Sequence, residues 1–137
     1  MTDDSYMKRL KVFKNFTLEL ASLSKCTERQ VAAIIVDKNL TQVLSIGING
    51  GPAGLVDCMC KLGDKYSCVH AEMNALVKCS SDLEDKVMIV TLSPCKMCAA
   101  AIINAPGSFS RVYYVYPWKD HTGIQLLNKA GIPTIQL

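Results

Sequence analysis

Two short stretches restrict the folds open to this chain more than any others: His70-Ala71-Glu72 and Pro94-Cys95-Lys96-Met97-Cys98. Each stands where an apolar pattern of helical spacing begins, so a fold that uses both must bring two helix starts together. The residue types say why they should meet. Cys95 and Cys98 share one face of a helix, and the positive end of its dipole favours thiolate over thiol there. His70 adds a neutral imidazole. Two thiolates and an imidazole can hold Zn2+ with a fourth tetrahedral position left for water, the form of a catalytic and not a structural site. Glu72, two residues beyond His70, is suited to moving protons beside that position.

Size and composition bound the rest. The 137 residues, half of them hydrophobic and a fifth charged, make one domain, 1–137, with enough chain for a single core. A net charge of +3 without clustered Lys and Arg suits an anionic small molecule better than a nucleic acid. No run of eighteen apolar residues is present, so no membrane span is expected. The start, Met1-Thr2-Asp3-Asp4-Ser5, lacks the order of a signal peptide. Seven cysteines, an odd number, then point to thiols or metal ligands in a reducing cytoplasm, a host's cytoplasm if the chain is viral.

The chain reads as alternating elements. Met7, Leu10, Phe13, Phe16, Leu20 and Leu23 recur at helical spacing, and Val31–Val36 and Val43–Ile46 form a strand pair around Asp37-Lys38-Asn39. Gly47 to Gly54, with four glycines and a proline, reads as a loop. A helix over Ala71–Val77, a strand at Val87–Val90, and a helix with Ser93 as its N-cap and Pro94 in its first turn follow. A strand at Val112–Tyr116, a helix stopped by Gly131, and a strand at Thr134–Leu137 complete the order. Such alternation predicts an α/β fold, a mixed sheet with helices on both faces.

The chain resembles the cytidine and deoxycytidylate deaminase superfamily, most closely its deoxycytidylate members. The likeness runs from about Lys25 to Ile132, through Val31–Asp37, Gly47–Pro52, His70–Ala75, Thr91–Ala99 and Leu126–Ile132. It implies a three-layer α/β/α sandwich, cytidine deaminase-like, around a five-stranded mixed sheet. It implies zinc on His70, Cys95 and Cys98, and proton transfer by Glu72. It also places Asn49, Gly50 and Ala71 at the substrate, with Asn49 bonding the sugar. The reaction implied is hydrolysis of dCMP to dUMP and ammonia, which feeds thymidylate synthesis. A homo-oligomer (hexamer or dimer) is implied too, with dCTP and dTTP as effectors and Mg2+ accompanying a triphosphate.

Other readings stay open. The substrate could be dCTP, cytidine or a tRNA adenosine, or the domain could be a non-catalytic zinc module. Cys58, Cys60 and Cys68 could supply most of a second, structural zinc site, with Cys26 a conceivable fourth ligand, or could be reduced loop thiols. Cys79 reads as a core or surface thiol and His121 as a surface histidine. Lys119 and Arg29 could meet a phosphate, and Trp118 with Tyr113, Tyr114 and Tyr116 could stack on a base or pack a strand.

Overall fold

Every residue from Val31 to Val36 is buried, and the alternation of their side chains deals them into two opposite layers. Ala32, Ile34 and Val36 cluster with Leu10 and Leu20, whereas Val31, Ala33 and Ile35 cluster with Ala71, Ala75, Ala99, Ile102 and Leu127. A strand covered on both faces is the middle of a sandwich. The computed structural model describes residues 2–26, 28–55, 60 and 68–137. Its elements follow the predicted order: α1 (Asp3–Ala21), β1 (Ala32–Val36), β2 (Val43–Ile48), α2 (Ala71–Lys78), β3 (Lys86–Leu92), α3 (Lys96–Asn104), β4 (Phe109–Tyr116), α4 (Thr122–Lys129) and β5 (Thr134–Gln136).

These strands form one sheet in the order β2-β1-β3-β4-β5. β1 runs antiparallel to β2 and β3, while β3, β4 and β5 run parallel. Among the described residues α1 packs on one face of the sheet, and α2, α3 and α4 pack on the other. The mixed five-stranded α/β/α sandwich is therefore as expected.

Three local expectations need correction. The inward row of α1 is Leu10, Thr17 and Leu20, buried, with Tyr6 and Phe13 half-buried beside them, whereas Met7, Phe16 and, just past the helix, Leu23 are exposed. Thr17 is buried because its hydroxyl donates to Phe13 O at 2.7 Å, so a polar residue completes a stripe that hydrophobic spacing alone misreads. The predicted loop at Gly47 is instead the end of β2. A Cβ there would lie 2.1 Å from Ala71 O and 2.4 Å from Ala75 N. Glycine is needed for α2 to lie directly on the strand, where Ser45 Oγ also donates to Ala75 O at 2.7 Å.

The third correction concerns α3, which starts at Lys96 with Cys95 as its N-cap. Ser93 is not the cap, because its hydroxyl accepts the Trp118 N–H at 2.7 Å and ties the end of β4 to the site.

Candidate metal centre and active site

α2 and α3 pack on the same face of the sheet, and their starts converge. His70 is the N-cap of α2 and Cys95 that of α3, whose Sγ accepts the Cys98 N–H at 3.4 Å. His70 Nδ1 lies 3.6 Å from Cys95 Sγ and 3.4 Å from Cys98 Sγ. A tetrahedral zinc with ordinary Zn–S and Zn–N bonds sets such donors about 3.6 Å apart. The donor types and their spacing both fit this ion.

Electrostatics agree with that fit. Among the protein groups alone, hydrogen bonds from Cys98 and then His70 hold the Cys95 thiol down to about 4. Cys98 is pushed far above the usual thiol range, first by its contact with Cys95 and then by burial. His70 is raised, chiefly through its bond to Cys95. The trio thus holds one thiolate and shares protons that a dication would displace.

Glu72 completes the group. It is 4% exposed, and burial, against the pull of its own N–H and of His70, raises its carboxyl to about 7. It borders a cavity of about 310 Å³ that His70, Ala71, Cys95, Asn49, Arg29 and Trp118 also line.

Asn49 reaches this cavity with most of its bonding capacity in use. Its Oδ1 accepts from Ser24 Oγ (2.7 Å) and from Val31 N (2.8 Å), and its Nδ2 donates to Arg29 O (2.7 Å). One amide N–H is left for a ligand. Gly50 does not line the cavity. Its N–H and C=O are both engaged with Val69 (3.2 and 2.7 Å), which fixes the approach to His70.

A second thiol group stands on the cavity wall. Cys26 Sγ is 3.8 Å from Cys60 Sγ, which is 3.5 Å from Cys68 Sγ, and tetrahedral zinc thiolates sit about 3.8 Å apart. Cys26 therefore joins Cys60 and Cys68, while Cys58 lies outside the described residues.

Two features went unread in the sequence. Gly123 is buried, and a Cβ on it would lie 2.0 Å from Pro94 O and 2.7 Å from Cys95 C. It lets the first turn of α4 sit against the chain that carries Cys95. Arg29 stacks its guanidinium over Trp118, with Cζ 3.9 Å from the ring centroid. Both residues were singled out in the sequence, but nothing local to either signals the pair. Cys79 and His121 lie away from the cavity lining, and Tyr113 is buried in the α1 layer, bonded to Tyr6 across 2.9 Å.

A model of the cytidine and deoxycytidylate deaminase zinc-binding region matches residues 7–116. The chain belongs to this family. ComE operon protein 2 of Bacillus subtilis is 35% identical over 128 residues, 86% of this chain and 65% of that protein. Human deoxycytidylate deaminase is 37% identical over 112 residues, 74% of this chain and 62% of its own. The chain thus spans somewhat less than two thirds of each of these relatives. The crystal structure of dCMP deaminase from the cyanophage S-TIM5, in complex with dCMP and dUMP, superposes with a TM-score of 0.86 at 28% identity, covering 100% of this chain and 99% of that one. The chain is accordingly a zinc-binding deaminase domain, and among the described residues no helix is long and apolar enough to cross a membrane.

Proposed function

We propose that this protein hydrolyses dCMP to dUMP and ammonia, with zinc held by His70 Nδ1, Cys95 Sγ and Cys98 Sγ. The observation that carries the reading is Glu72, a carboxyl only 4% exposed that borders the same cavity as His70 and Cys95, the two donors that Cys98 joins within metal-binding reach. The S-TIM5 enzyme, similar over the whole chain and crystallised with dCMP and dUMP, supports the choice of substrate.

When bound, zinc acts as a Lewis acid and brings the pKa of a water molecule down to roughly 7. Glu72 takes a proton from the attacking water as the new C–O bond forms at C4 of the base, and delivers it to the ring nitrogen. It then carries the second proton to the amine, whose C–N bond breaks to release ammonia. A group near neutrality can accept and donate in turn, whereas an ordinary exposed glutamate is a poor proton donor at that pH. Ala71, wholly buried at the start of α2, bounds the base, and Asn49 has one N–H to offer the sugar. Gly50 acts indirectly, by anchoring Val69.

The test is ammonia release from dCMP, dCTP, deoxycytidine and a tRNA substrate, with zinc content measured alongside. Turnover of dCMP is expected, and Glu72→Ala should keep zinc while losing nearly all of it. Silence on all four substrates with zinc bound would leave a non-catalytic module. Active Glu72→Ala would refute the proton path.

Cys26, Cys60 and Cys68 are proposed as a second, structural zinc site on the same spacing argument. We also propose a cytoplasmic homo-oligomer, for which exposed Val77, Met97 and Ile46 offer apolar surface; sedimentation tests it. Regulation by dCTP and dTTP, with Mg2+ accompanying the triphosphate, rests on the resemblance, and assays with and without each nucleotide test it.

A further inference from the structure

The wall of the cavity carries an arginine that the deamination chemistry does not use. We propose that Arg29, laid flat on Trp118, is the specificity-determining group that selects a nucleoside 5′-monophosphate over the bare nucleoside. The proposal rests on the deaminase reading for the identity of the nucleoside, but its own evidence is separate.

First, Arg29 and Trp118 both line the cavity that Glu72, His70 and Cys95 border. Second, the guanidinium is placed, its carbon 3.9 Å from the indole centroid, and among the described residues no carboxylate balances its charge in an ion pair. Neighbouring Glu28 also lines the cavity and is not paired with it. Stacking occupies the face of a guanidinium and leaves its edge, where the N–H donors lie, for an anion. An arginine held this way meets a phosphate with a preformed fork, and less side-chain entropy is lost on binding.

Third, both partners are anchored from beneath. Asn49 Nδ2 donates to Arg29 O at 2.7 Å while its Oδ1 accepts the Val31 N–H at 2.8 Å, which pins the backbone on both sides of Gln30. Trp118 N donates to Ser93 Oγ at 2.7 Å, and Ser93 also lines the cavity, two residues before Cys95. The stack is therefore tied to the segment that carries the donors. Lys119 Nζ, 5.6 Å from the same ring, adds a second positive charge beside it.

The chemistry suits the division of labour. With its thiolates balanced by the dication they hold, the metal end of the site carries little net charge, whereas Arg29 and Lys119 are positive and attract a phosphate. A substrate with a neutral base and a charged phosphate would be oriented by that contrast.

The experiment measures binding of dUMP and deoxyuridine, products that avoid turnover, to the zinc-loaded protein by calorimetry. Trp118 emission is recorded in parallel, since it is the chain's one tryptophan. Wild type should bind dUMP at least 10-fold more tightly than deoxyuridine, with a Trp118 emission change on phosphate arrival. Arg29→Gln should cut that preference about 10- to 100-fold, the range for a lost hydrogen bond to a charged group, and leave deoxyuridine affinity unchanged. Arg29→Lys should restore part of it as a point charge.

A wild-type protein without preference for dUMP, or Arg29→Gln retaining the wild-type preference, overturns the proposal. If Arg29→Gln loses thermal stability but keeps the preference, the stack is structural and the proposal fails. Deamination failing on dCMP and deoxycytidine alike, with the preference and its loss as stated, would sink the deaminase reading and leave the phosphate site standing.

Discussion

Replacing Gly123 with alanine tests whether α4 positions the metal centre. The added Cβ would sit 2.0 Å from Pro94 O, 2.7 Å from Cys95 C and 2.9 Å from Cys95 O, all of them backbone atoms that no rotamer change can clear. Ordinary contact begins at 3.4 Å, so relief requires α4 and the Pro94–Cys95 segment to part by about 1.4 Å. Overpacking of this kind costs about 1–3 kcal/mol, and an all-backbone clash belongs at the upper end. Metal sites hold their bond lengths to about 0.2 Å, so a shift of that size at Cys95 should weaken zinc at least about 10-fold, as changes to supporting residues do. Chelator competition gives zinc affinity, and urea unfolding gives stability. Gly131→Ala is the control. It has a positive φ of 83° and open space around its Cβ position, so it should lose stability without losing zinc affinity. Gly123→Ala with wild-type zinc affinity would refute the positioning argument, even if its stability fell.

Further expectations follow from particular contacts. Cys26→Ser should lower bound zinc from two atoms per chain to one, read by elemental analysis; one atom in wild type would reject the second site. Lys86 is 1% exposed and donates to Leu83 O and Pro106 O at 2.8 Å each. Lys86→Met should therefore cost about 2–3 kcal/mol in urea unfolding, through the loss of two hydrogen bonds from a charged donor, and a change under about 0.5 kcal/mol would contradict this. Burial pushes the Asp37 carboxyl up, but hydrogen bonds from Thr41 and Gln42 outweigh it and leave it below its usual 3.8. The folded value is the depressed one, so its stabilisation is present above about pH 4 and lost as pH falls below that. Asp37→Asn should be the less stable protein at neutral pH, with the gap closing below pH 4 in denaturant titrations; a gap that persists at low pH would refute it.

How far the sequence could be read depended on the range of the physics involved. Element order was legible because strands and helices bury faces at fixed periods, as in Val31–Val36. The candidate centre was legible because zinc chemistry demands particular residue types, and His70, Glu72, Cys95 and Cys98 are close to each other within their two motifs. Errors arose where a tertiary contact overrode a local rule. Thr17 is buried because Phe13 O receives its hydroxyl, and Gly47 is strand because α2 needs the room. Ser93 holds Trp118 instead of capping a helix.

The sequence by itself determined which side chains can do chemistry and which segments carry them, since both follow from residue type and short-range spacing. Tertiary structure alone decided which distant segments touch. It set Cys26 beside Cys60 and Cys68, Arg29 on Trp118, and Gly123 against Cys95. Those pairings depend on strand order, crossover paths and how closely helices lie on the sheet, and no local pattern encodes such choices because each is fixed by packing the whole domain at once.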